Sequence, residues 1–67
     1  MRNPERLKSF YDELARLHEK LPDWRFSQLI CNFADWYGGD IFYMEEDRFL
    51  QLFKQYLNSY LGIDIES

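Results

Sequence analysis

The side chains of this chain suited to acid–base, nucleophilic or metal chemistry are few. His18 is the only histidine, Cys31 the only cysteine, and three acids stand in succession at Glu45, Glu46 and Asp47. A histidine works as a base or ligand when a second group orients its ring. The acids at 45–47 are candidates for that task if the helix carrying them packs beside His18. Yet His18 lies four residues after Leu14 and three before Leu21, on the apolar arc of a helix. That is the place of a boundary histidine, with one ring nitrogen bonded and the other in water. Three consecutive helical residues point in three directions, so the acids do not converge on a cation that takes about six or more oxygens. They suit the positive end of a helix dipole.

Cys31 has no histidine near it in sequence and falls on the less apolar side of its helix, which reads as a half-exposed structural thiol. Tetrahedral zinc wants four Cys or His ligands, and His18 with Cys31 makes half a set. The pair Gly38-Gly39 closes a helix where a phosphate loop would open one, and no Gly-x-Ser-x-Gly elbow occurs. The expectation is a non-enzyme with no catalytic residue, no metal and no cofactor.

The elements that carry these residues are set by apolar spacing. Asn3-Pro4-Glu5 opens a helix, with an acceptor side chain, a proline suited to the first turn and an acid on the dipole. Leu7, Phe10, Tyr11, Leu14, Leu17 and Leu21 then gather into an arc of roughly 120°, and the spacing predicts helix 1 over 4–20. Asp12 and Arg16 stand opposite, at the spacing of an i,i+4 pair. Pro22 disfavours helical geometry at Leu21, and Asp23 is positioned to cap the next helix. Helix 2 is predicted over 24–37, with Phe26, Leu29, Ile30 and Phe33 at the heart of its apolar face. Gly38-Gly39 supplies the positive-φ residues that end it. Ile41, Phe42, Tyr43 and Met44 form an apolar run too short for an independent strand and read as a buried connector. Helix 3 is predicted over 45–61. Its apolar residues, among them Phe49, Phe53, Tyr56 and Leu57, fill an arc of roughly 180°, wider than the ~100° one docking face needs. The fold class is all-α: one three-helix domain, residues 1–67, its core centred on Leu14, Leu17, Phe26, Leu29, Ile30, Phe33, Phe49, Phe53, Tyr56 and Leu57.

A chain of 67 residues buries little surface and usually leans on a disulfide, a metal or another chain. One cysteine forms no internal disulfide, and zinc lacks its ligands, so burial against a partner stays open. The lone thiol and the absence of a basic-then-apolar leader favour a reducing, cytoplasmic setting. No apolar run approaches the ~20 residues of a membrane span.

Two helices joined by a short turn invite comparison with a helix-turn-helix, but charge argues against nucleic acid. Residues 1–25 carry net +1 and residues 26–67 net −5, so neither half has the cations to neutralise several phosphates. The acidic half would instead suit a mimic that occupies a DNA-binding partner, and a nucleic-acid-related regulator is the runner-up reading. The stronger feature is aromatic content: six Phe, five Tyr and two Trp, more than so small an interior holds. Aromatic side chains are favoured at protein interfaces. The expected activity is therefore protein–protein interaction, with another protein or as a homodimer. Its candidate interface is Trp24 together with the flanks of helix 3: Leu50, Leu57, Tyr60 and Leu61 on one side, Leu52 on the other.

The stretch Leu21-Pro22-Asp23-Trp24-Arg25-Phe26 with Gln28-Leu29-Ile30, followed by Phe42-Tyr43-Met44-Glu45-Glu46-Asp47, resembles a family of short bacterial proteins of unknown function. These combine a PD-aromatic-R-F-x-Q-L turn with a later F-Y-x-E-D/E-D/E segment. The resemblance covers roughly residues 21–57. It implies a small helical cytoplasmic protein and carries no catalytic residue with it.

Overall fold

The computed structural model describes residues 3–66. Its helices are α1 (Glu5–His18), α2 (Phe26–Tyr37) and α3 (Glu46–Gln55), and α3 runs directly into a π-helical turn at Tyr56–Tyr60. There is no strand among the described residues. The expected three-helix architecture is the one observed.

The local signals account for most helix ends. Asn3 Oδ1 accepts from the Glu5 N–H at 2.9 Å, satisfying one of the orphan donors of the first turn. Gly38 takes φ +78° and its N–H donates to the Ala34 carbonyl, the left-handed stop that a glycine makes cheaply. Gly39 does not share that conformation, so the stop needs one glycine and not the pair. Helix 1 ends two residues short of its predicted end, and helix 2 begins two residues late. Arg25, not Asp23, is the entry residue of α2: it is extended, and its N–H donates to Gln28 Oε1 at 2.9 Å. The Asp12–Arg16 pair is replaced by two others, Lys8 with Asp12 and Arg16 with Glu13.

The core consists of Leu14, Leu17, Leu29, Phe33, Leu52, Phe53, Tyr56 and Leu57. Phe33 is its hub, with ring centroids 4.9 Å from Phe49, 5.7 Å from Phe53 and 5.9 Å from Tyr56. Ile30 and Phe49 are only half-buried. Phe26, expected in the core, is 56% exposed. It shares a face with Phe33, but helical side chains lean toward the N-terminus. At the first position of α2 that lean carries the ring past the helix end, and Leu21 and Trp24 pack against the core.

The wide arc of α3 is covered in part within the chain, with Leu50 and Leu61 half-buried and Tyr60 exposed. α3 lies against α1, meets α2 through the Phe33 rings, and receives the C-terminal segment, whose Ile63 and Ile65 pack onto the core. Arg16 Nη1 donates to the Ile65 carbonyl at 2.7 Å, and Asn58 Nδ2 to the Ile63 carbonyl at 3.2 Å. Among the described residues, no helix is long and apolar enough to cross a membrane.

Candidate functional site

The groups that sequence reasoning weighed for chemistry are held apart. His18 Nε2 lies 2.7 Å from the Trp24 carbonyl oxygen. A carbonyl only accepts, so Nε2 is the donor, and the ring fastens the α1–α2 connection. The acids sit elsewhere. Glu46 pairs with Arg6 across the α1–α3 groove, and the Asp47 carboxylate accepts from the Arg48 N–H at 2.8 Å. The Arg6 Nε is shielded from water without a hydrogen-bond partner, and the ion pair with Glu46 is its compensation. Glu13 receives Arg16 from its own helix and Lys54 of α3, the latter at 3.3 Å. The Arg16 hydrogen bond above all, and Lys54 with it, holds the Glu13 carboxyl below its ordinary value against the opposing effect of burial. No group of three or more His, Cys, Asp or Glu side chains among the described residues is placed to hold a metal ion. Cys31 is exposed in a shallow depression between Trp24 and Asn32.

The six candidate interface residues divide. Leu52 and Leu57 are buried in the core and offer nothing to a partner, because they pack within the cluster that Leu14, Leu17, Leu29 and Phe33 complete. Leu50 is half-buried in the α1–α3 groove, a space of about 650 Å³ bordered by Phe10, Arg6 and Glu46. Trp24, Tyr60 and Leu61 come together at a separate place. They line a cavity of about 410 Å³ with Asp35, Trp36 and Tyr56.

The π-helical turn shapes this cavity. The Leu61 N–H reaches back five residues to the Tyr56 carbonyl at 3.1 Å, and Tyr60 stacks on Tyr56 with centroids 5.6 Å apart and 17° between ring planes. Trp36 leans on Tyr56 from α2 at 5.3 Å and 47°. Burial first, then the nearby Tyr60 and Asp35, raise the Tyr56 phenol above its ordinary value. Trp36, Asp35 and Tyr56 are not among the candidate interface residues of the sequence reading: Asp35 and Trp36 lie on α2 and Tyr56, expected in the core, follows α3, and spacing within one helix does not join them to Trp24.

The largest departure lies between α2 and α3. The expected buried connector presents Phe42 and Tyr43 at 78% and 86% exposure. Ile41 and Met44 do turn inward against the core, and the Met44 N–H donates to the Ile41 carbonyl at 3.1 Å. That bond closes a β-turn whose two central residues are Phe42 and Tyr43. Asp40 Oδ1 accepts from the Phe42 N–H at 2.9 Å and fixes the entry to the turn. The two rings meet edge to face at 4.8 Å. Tyr11 and Phe26 are also more than half exposed.

No protein-family model, no curated protein and no solved structure matches this chain.

Proposed function

We propose that this domain is a protein–protein interaction module whose primary contact is the Phe42–Tyr43 turn. The observation that carries the reading is the exposure of these two adjacent rings at the tip of a turn anchored by Ile41 and Met44. Large aromatic side chains left in water are a cost that association removes, and such rings act as anchors in interface pockets. Anchoring from below keeps the pair ordered before contact, which limits the entropy lost on docking. Asp40 lies on the same connection and Asp47 in the first turn of α3 that follows it, so the fitting partner offers an apolar socket bordered by cations.

The test is the double variant Phe42→Ser with Tyr43→Ser, compared with the wild-type chain by crosslinking in the source cell and by sedimentation of the purified protein. The expected result is a specific heteromeric crosslink lost in the variant, with melting unchanged. A wild-type dimer that dissociates in the variant makes the partner a second copy. A crosslink pattern indifferent to both substitutions overturns the reading.

A further inference from the structure

The cavity between Trp24, Trp36 and Tyr60 is rich in aromatic rings. Trp24, Trp36, Tyr56 and Tyr60 line it together with Asn32 and Leu61, and the one ionisable group of the lining besides the phenols is the Asp35 carboxylate. Among the described residues no lysine, arginine or histidine lines it. Its volume of about 410 Å³ falls within the range of small-ligand sites. Aromatic faces carry negative potential and attract cations, most strongly those whose hydration is weak. A carboxylate at the rim adds charge of the right sign and disfavours a neutral apolar guest, which would desolvate it without return.

We propose that this cavity binds a methylated ammonium group, with Trp24, Trp36 and Tyr60 enclosing the methyls and Asp35 complementing the charge. Small hydrated metal ions are poor guests, because the cavity offers too few oxygens to replace their water. The π-helical turn serves the site by holding Tyr60 stacked over Tyr56, and such turns recur at functional positions. The same chemical group occurs on a trimethylated lysine side chain and on a choline headgroup. The proposal does not depend on the Phe42–Tyr43 turn.

Both tryptophans of the chain, Trp24 and Trp36, line the cavity, so their fluorescence reports occupancy directly. The experiment titrates the whole protein with tetramethylammonium, with choline and with 3,3-dimethylbutan-1-ol, the uncharged isostere of choline. The expected result is a saturable change with the two cations and none with the isostere. Tyr60→Ala and Asp35→Asn, both at exposed positions, should each weaken the cations about 3- to 10-fold and leave the circular dichroism unaltered. A trimethyllysine peptide and phosphatidylcholine vesicles, tested in the same way, separate the two sources; response to free choline alone identifies a small-molecule site. An isostere that matches choline overturns the proposal by showing a merely apolar cavity, and so does the absence of any saturable change. Cation binding indifferent to Asp35→Asn and Tyr60→Ala overturns it too.

Discussion

His18 donates from Nε2 to the backbone carbonyl of Trp24, 2.7 Å away. This bond ties the end of α1 to the residue that turns the chain toward α2, and it seats Trp24 against the core. The only histidine is thus a fastener. Replacing it by leucine keeps the apolar bulk and removes the donor, leaving a partly buried carbonyl unpaired. His18→Leu should lower stability by about 1–2 kcal/mol and shift tryptophan emission to the red as Trp24 loosens. Thermal melting and fluorescence check both, and an unchanged melting point would show that water replaces the imidazole at no cost.

Phe33 and Phe26 occupy the same face of α2 with opposite fates, one at the hub of the core and the other 56% exposed. Phe33→Ala should cost about 3–5 kcal/mol, enough to unfold much of a domain this small. Phe26→Ala should stay within about 1 kcal/mol, as surface substitutions do. Denaturant unfolding of the two variants side by side decides whether burial is assigned correctly, and equal losses would refute it.

The features legible in the sequence are those that depend on neighbours three and four residues away. The spacing of Leu14 with Leu17 and of Leu29 with Phe33 marks two faces that the structure buries, and Gly38 marks a helix end. Where burial depends on which element arrives from elsewhere, the pattern is silent. Leu52 and Leu57 look like surplus apolar surface until α1, the Phe33 ring cluster and the Ile63–Ile65 segment close over α3. The run from Ile41 to Met44 reads as uniformly apolar, yet a β-turn splits it, two residues inward and two outward. The aromatic cavity is the least legible feature, since Trp24, Trp36 and Tyr60 are joined only by tertiary packing.

That split in the connector predicts a split in mutational response. Ile41 and Met44 pack against the core while Phe42 and Tyr43 do not. Met44→Ala should cost about 1–3 kcal/mol, less than a full core truncation, whereas Tyr43→Ser should leave stability within about 0.5 kcal/mol. Chemical denaturation distinguishes them. A large loss from Tyr43→Ser would mean that the ring packs onto the domain in solution.

Glu13 links α1 to α3 through Lys54 while holding Arg16 on its own helix. The Arg16 hydrogen bond is the main cause of its lowered carboxyl pKa, with Lys54 acting in the same direction. A carboxylate whose pKa is lower folded than unfolded stabilises the fold fully above its unfolded value. That contribution is lost as pH falls through the folded value. Glu13→Gln removes the charge at every pH. The variant should therefore melt below the wild type near neutral pH, and the gap should close as the solution is brought below the ordinary carboxylate range. Exposure and salt keep the gap small, so added salt should narrow it at neutral pH and leave the acid limit unaltered. Melting curves of both chains across that range check the sign. A gap that widened toward acid would show that Glu13 is held in the protonated form, contrary to its two cationic neighbours.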